Sequence, residues 1–340
     1  MTTTAAPAPT SATTARARAF VADNKDRATA LGRAAGEHVH DPDLLVATLN
    51  EGLPALADPE YLEGMRMVAP GIGPVLGIRQ PLLRAVGSGL RAAFRGVPSS
   101  TRLDIAARLV REPIIELHWL AFGILERTIR DEPERTWQLV RAESRAALEW
   151  ATVDALAHVA ALGIVAESYR WAELEQLVYS PSRWERRLAG STIATLPFAD
   201  RVAGRRPEIA TRGLRILGDL IGDASPDVQK SLSWAIRSLT VVDLPATVAF
   251  LRAEARTARA ADDGARAWVV RDSLDKVPAP VATELRAVVD GIRRRPNTAS
   301  TSRAAETAAA FAGLGVAVPP AERPIVDRTS AQPDRRSTTS

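Results

Sequence analysis

Trp150 and Asp154 stand four residues apart in Trp150-Ala-Thr-Val-Asp154, inside a segment flanked by long helical patterns. Residues i and i+4 share one face of a helix, so an indole plane and an anion would sit side by side. Ring face and carboxylate both attract positive charge, which suits an electron-poor, cationic substrate. The same spacing equally describes a core tryptophan beside a surface aspartate. A second group bears on the choice: Lys230, Trp234 and Arg237 fall at i, i+4 and i+7, placing two cations around one indole. Arg187 lies 43 residues before Lys230 and forms an i, i+4 pair with Arg183, with Trp184 and Arg186 beside them. Cation, aromatic, cation is the pattern of a surface that follows a phosphodiester backbone. A solvated basic face with a tryptophan buried behind it is the alternative for either helix alone, and its recurrence weakens that alternative.

The elements that must position these residues are helices. Between residues 19 and 295, segments of 12 to 20 residues carry apolar positions at i, i+3, i+4 and i+7. Helix starts are expected at Asp41-Pro42-Asp43, Pro98-Ser-Ser-Thr101, Asp131-Glu-Pro133, Ser225-Pro226-Asp227 and Pro278-Ala-Pro280. At each, a cap side chain or a first-turn proline answers the unpaired amides. No strand alternation persists beyond a few residues. Residues 186–196 overlay 229–239 at an offset of 43, and the latter overlay 268–274 at an offset of 35. These periods are those of HEAT-like helical hairpins, and the expected architecture is an all-α solenoid whose concave face is the binding surface. The expected organisation is one repeat domain over 19–295, with disordered tails at 1–18 and 296–340, where Thr, Ser, Ala and Pro dominate. The second tail admits a short helix around Arg303 to Ala312, with little to pack on.

Composition narrows the function classes. The 340 residues contain no cysteine, which excludes disulfides, thiolate zinc sites and cysteine-ligated iron-sulfur clusters. No window offers about 18 uninterrupted apolar residues, and the N-terminus lacks the apolar run of a signal peptide. A cytoplasmic, nucleoid-associated setting and no membrane partner are therefore expected. Of the 44 basic residues only Lys25, Lys230 and Lys276 are lysine. Arginine binds phosphate with a planar fork, but genome-wide bias also raises arginine counts, so position has to carry any nucleic-acid argument.

Four separated pieces resemble the AlkD-like DNA glycosylases of the DNA alkylation repair family. They are Gly77-Ile-Arg-Gln-Pro-Leu-Leu-Arg84, Trp150-Ala-Thr-Val-Asp154, Trp184-Glu-Arg-Arg187-Leu-Ala and Val228-Gln-Lys-Ser-Leu-Ser-Trp234-Ala-Ile-Arg237. They occur in the family's order and at similar separations, and the resemblance covers roughly residues 60 to 280. It implies a HEAT-like fold that agrees with the periodicity above. It also implies that Trp150 and Trp234 frame the lesion's deoxyribose, that Asp154 is the catalytic carboxylate and that Arg187 contacts the backbone near the lesion. Lys230 and Arg237 match basic positions of the same motif; Arg183, Arg186 and Arg84 complete the expected DNA-binding set. Glu149 departs from the family, which often has an aromatic there.

The implied activity is hydrolysis of the N-glycosidic bond of cationic N3- or N7-alkylpurines in duplex DNA. Such a base leaves neutral, so stabilising the sugar oxocarbenium ion is the main task. A carboxylate about 4 Å away supplies about 4 kcal/mol at an effective dielectric of 20, and orients water. The family holds its lesion without flipping the base into a pocket, and an open repeat surface would fit that. No cofactor or metal is expected, and the protein is expected to act as a monofunctional monomer on alkylated DNA. A non-catalytic helical-repeat scaffold and a bulky-adduct specialist are the competing readings. Asp154 would be the one acidic point in a basic, aromatic groove.

Other signals are weaker. His38-Val-His40-Asp41 lies where one helix pattern ends and another begins, which does not secure a ligand geometry. His118 and His158 lie in helical patterns and read as core or hydrogen-bonded residues. Gly71-Ile-Gly73-Pro-Val-Leu-Gly77 lacks a phosphate loop's Lys-Ser/Thr and reads as a hinge between helices. Trp119, Trp137, Trp171 and Trp268 read as core, and Glu116 as an ordinary neighbour of Trp119.

Overall fold

The computed structural model describes residues 12–312. They form sixteen α-helices: α1 (Ala12–Gly36), α2 (Pro42–Gly52), α3 (Pro59–Val68), α4 (Gln80–Ala93), α5 (Ser99–Leu109), α6 (Ile115–Thr128), α7 (Pro133–Ala146), α8 (Trp150–Ala166), α9 (Arg170–Leu177), α10 (Arg183–Ala199), α11 (Pro207–Leu220), α12 (Pro226–Leu239), α13 (Leu244–Ala261), α14 (Gly264–Asp272), α15 (Ala279–Val288) and α16 (Arg303–Ala312). Strand pairing among the described residues is limited to an isolated bridge between Ala57 and Ile78. All five expected helix starts are used, by α2, α5, α7, α12 and α15. At α2, Asp41 accepts the Leu44 amide at 3.1 Å and Pro42 occupies the first turn. No helix among the described residues is long and apolar enough to cross a membrane.

Packing follows chain order. Helices α4, α6, α8, α10, α12 and α14 contact one another in series, while α5, α7, α9, α11 and α13 each pack against the helix that follows. The result is a solenoid-like stack of helix pairs, and the overlaid segments fall on α10, α12 and α14, successive members of one layer. Small residues set the spacing. A Cβ at Gly190 of α10 would lie 2.4 Å from the Ser231 Oγ of α12, so glycine there lets the two helices approach.

Two expectations about the ends are corrected. Residues 12–18 belong to α1, which packs against α4 through glycines: a Cβ at Gly32 would lie 2.0 Å from the Val86 carbonyl oxygen, and one at Gly89 2.3 Å from that of Thr29. Backbone contact needs no large apolar stripe, so hydrophobic periodicity misses it. At the other end, residues 296–302 are pinned to the repeat loops. The Thr301 amide donates to the Gly222 carbonyl at 2.9 Å, and the Ala224 amide to Ser300 Oγ at 2.9 Å. Helix α16 packs on α11, burying Ala304, and Arg303 pairs with Asp219 at 2.8 Å. The remainder of both expected tails, 1–11 and 313–340, lies outside the described residues.

The expected hinge at 71–77 is also corrected. Glu116, fully buried on α6, accepts the amides of Leu76, Gly77 and Ile78 at 2.9 to 3.2 Å. Gly77 adopts φ 82°, which turns its amide toward the carboxylate. The segment is clasped, and Glu116 is its clasp.

His118 ties α6 to α7 and to the turn before α6. Its Nε2 lies 2.7 Å from the Glu112 carbonyl oxygen and its Nδ1 3.3 Å from Glu143 Oε2. Both acceptors are satisfied only by imidazolium. Burial opposes that charge, yet the Glu143 and Glu112 contacts together raise the histidine above its ordinary 6.5. A raised folded-state value contributes stability that is complete below about 6.5 and fades as pH climbs through the raised value. His118→Gln is therefore expected to lower urea stability at pH 5.5 and to match wild type more closely at pH 9.

Candidate active site

The inner helices bring Asp154 and Arg187 together. Arg187 donates Nε to Asp154 Oδ1 at 3.0 Å and Nη2 to Oδ2 at 2.7 Å, a bidentate pair. Ser191, one turn beyond Arg187 on α10, donates its hydroxyl to Asp154 Oδ1 at 2.6 Å. The remaining guanidinium arm, Nη1, donates to the Asp227 carbonyl at 2.6 Å in the first turn of α12. One arginine thus joins α8, α10 and α12. Its side chain is 5 % exposed and that of Asp154 is 19 % exposed, so the anion retains an opening to solvent while its partner is sealed. A carboxylate offers about four lone-pair sites. Three are taken by described residues, and the free one is on Oδ2.

Trp150 opens α8, with the Arg187 guanidinium 5.9 Å from its ring centroid. The helix start is set by Glu149, the residue at which the sequence departs from the family pattern. Its carboxylate, nearly buried, caps the Ala151 and Thr152 amides and takes the Thr152 hydroxyl, the Thr152 amide at 2.8 Å. An acid at this position answers both the unpaired amides and the positive end of the helix dipole. Glu149 therefore fixes the register that puts Trp150, Asp154 and His158 on successive turns of one face.

That face opens on a cleft of about 1170 Å³ between α3, α4, α6 and α8, lined by Trp150, Asp154, His158, Trp119, Tyr61 and Arg84 among others. An open repeat surface was expected here. The clasped 71–78 segment and α3 instead wall one side. Trp119, expected in the core, lines this cleft, as does His158. Burial raises the Tyr61 phenol above its ordinary value of 10.0; Arg79 opposes this and Glu116 adds to it, so Tyr61 stays a neutral donor at pH 7.

The other expected site residues divide by environment. Lys230 is exposed and Trp234 half-buried, both on α12. Arg237 donates to the Asp272 carboxylate at 3.0 Å and lies 3.7 Å from Asp275. Arg183 lies over the Trp184 ring at 4.6 Å and 3.5 Å from Asp227. Arg186 is spent within the protein, donating to Asp223 at 2.7 Å and to the Ser180 and Pro181 carbonyls at 2.8 and 2.9 Å. Asp227, Asp272 and Asp275 thus accompany the basic residues, and Asp154 is not the one acidic point. Trp137 and Trp171 are buried, each beneath a guanidinium, Arg170 at 4.9 Å and Arg212 at 5.2 Å. Among the described residues no group of three or more His, Cys, Asp or Glu is placed to hold a metal ion, and Asp41 serves as a helix cap.

Ser191 was not anticipated. Its signal is its position four residues after Arg187, which puts both on the face turned to α8. Comparison with known families gives a match to the model described as DNA alkylation repair enzyme, over residues 49–274. No curated protein and no solved structure matches the chain.

Proposed function

This chain belongs to the family of DNA alkylation repair enzymes, and on that footing we propose that it is a monofunctional DNA glycosylase releasing cationic N3- and N7-alkylpurines from duplex DNA. The observation that carries the reading is the Asp154 carboxylate, which lines the cleft beside Trp150, is held by Arg187 and Ser191, and keeps one lone-pair site on Oδ2 free of protein partners among the described residues. A scaffold that only bound DNA would gain nothing from an anion fixed there, because it repels phosphate.

The glycosidic bond breaks heterolytically. Its electron pair passes to the purine nitrogen and cancels the base's positive charge, so no general acid is needed. The sugar becomes an oxocarbenium ion facing Asp154 and the indole of Trp150. A water held by the free Oδ2 position adds to C1′, and its proton leaves through the carboxylate to solvent. Trp234 packs on the sugar from the α12 side, and Lys230 and Arg84 meet flanking phosphates. A flipped base is normally gripped in a snug pocket. A cleft of about 1170 Å³ exceeds even the roughly 300–1000 Å³ usual for whole ligands, so the lesion is processed without a base-fitted pocket.

The same cleft favours a second reading, specialisation for bulky adducts, since Trp119, Met65, Val68, Leu83 and Leu120 give it an apolar wall. The test is base release from duplexes carrying N3-methyladenine, N7-methylguanine or a bulky aromatic N3 adduct. Release of all three is expected. Release of the bulky base alone makes the protein a specialist, and DNA binding without any release makes it a scaffold.

A further inference from the structure

Residues 289–302 lie beyond the segment matched to the family and return across the loops that precede α12 and α14. A Cβ at Gly264, the first residue of α14, would lie 2.2 Å from the Arg293 carbonyl oxygen, and one at Gly222 would lie 2.5 Å from Thr301 Oγ1. Thr301 Oγ1 also donates to Asp263, the N-cap of α14. The strap is thus fastened at both repeat loops, and both positions require glycine because strap atoms occupy the side-chain space.

This path collects arginines. Arg294 donates Nη1 to Gln229 Oε1 of α12 at 2.9 Å and lies 4.5 Å over the ring of Trp268 on α14. Gln229 immediately precedes Lys230, which is exposed. Arg271, one turn after Trp268, donates to the Val289 carbonyl at 2.9 Å. Arg293 is exposed and reaches only the carbonyl of its neighbour Ile292, at 3.4 Å. Trp268-Val-Val-Arg271 repeats, in the next inner helix, the spacing of Trp234-Ala-Ile-Arg237. The difference lies in charge compensation. Arg237 has Asp272 and Asp275, and Arg295 has Asp262. Among the described residues Lys230, Arg271, Arg293 and Arg294 form no salt bridge.

Uncompensated guanidinium groups repel one another. Burial, followed by the charges of Arg293 and Arg294, pulls Arg271 below its ordinary value, with Asp290 the acid that opposes them. Holding such a cluster on a fastened strap costs free energy that an anion returns. A planar fork backed by an indole is suited to a phosphodiester oxygen pair.

We propose that Arg271, Arg293 and Arg294, backed by Trp268, form a phosphate-binding station for duplex DNA, supplied in part by this strap and placed one inner helix beyond Trp234. This deepens the glycosylase reading and rests on it for the identity of the ligand. The station contributes affinity and register along the duplex, and takes no part in bond cleavage.

The test is binding of undamaged duplex DNA across a salt series, with base release from N7-methylguanine duplex measured separately at saturating enzyme. For Arg293→Ala/Arg294→Ala the slope of log Kd against log salt is expected to fall by about 1, and Kd to weaken roughly tenfold near physiological salt, as for one or two lost phosphate contacts. The saturated single-turnover rate should stay at wild type. Arg293→Glu, at an exposed side chain with no interior partner, guards against loss of the strap's fastening and should weaken binding at least as much. Unchanged slope and Kd in both variants, with wild-type release intact, overturn the station and leave the glycosylase reading standing. A lowered slope in a protein that releases no base leaves the station and removes the glycosylase.

Discussion

Asp154→Asn is expected to slow release of N7-methylguanine by between about 30-fold and a thousandfold. The range follows from what Arg187 does. A sugar cation about 4 Å from the carboxylate gains about 4 kcal/mol at an effective dielectric of 20, close to a thousandfold in rate. In the free protein that carboxylate is paired with Arg187, with Nη2 to Oδ2 at 2.7 Å. Arg187 repels the same cation by about 2 kcal/mol from about 7 to 8 Å. The full loss is therefore expected if it keeps its place in the variant, and a loss of about 2 kcal/mol, or roughly 30-fold, if it swings away once its partner is neutral. A measured loss near the upper figure means that Arg187 occupies the same place with and without the carboxylate. A loss near the lower one means that Arg187 moves off when its counter-charge is removed. A rate equal to wild type sinks the catalytic assignment. Because Arg187 is nearly buried, removing its counter-charge also costs stability, on the order of 3–5 kcal/mol for a broken buried pair. Single-turnover rates should therefore be taken well below the melting temperature, with circular dichroism confirming the fold.

The second large effect is on the fold. Glu116→Ala is expected to lower the unfolding free energy by about 3–5 kcal/mol. The substitution leaves the amides of Leu76, Gly77 and Ile78 without their acceptor, and each unsatisfied buried donor costs about 1–3 kcal/mol. Glu116→Gln keeps one carbonyl oxygen and should recover part of the loss. Chemical denaturation measures the total, and amide exchange at 76–78 locates it. A loss under 1 kcal/mol together with unchanged exchange would show that the clasp is not what holds this wall. Arg79, at the end of the clasped segment, lies 5.1 Å from the Tyr61 ring and 2.6 Å from Asp58. Loosening the clasp should therefore also widen the cleft, and bulky adducts would show it before methyl ones.

Much of this protein was legible from local pattern. Period and capping residues placed α2, α5, α7, α12 and α15, because a proline or an acid at a helix start acts through bonds only a few residues long. The i, i+4 rule placed Trp150 and Asp154 on one face for the same reason, and the offsets of 43 and 35 marked successive inner helices. What pattern could not supply were contacts between elements distant in sequence. Arg186 and Arg187 are adjacent and chemically identical, yet one is consumed by Asp223 and the other grips Asp154. Helix rotation separates neighbours by about 100°, and what stands opposite each is decided by the stacking of α8, α10 and α12. Glu116 is 38 to 40 residues from the amides it holds, and the strap reaches Gly222 across 79 residues through Thr301. Local pattern specifies the helices, their repeat and the residue types of the site. The tertiary structure alone decided which charges are paired, which aromatic side chains reach the cleft and which cations are left without a partner. Electrostatic pairing and burial depend on separation in space, and a linear sequence specifies that separation only within a helical turn or two.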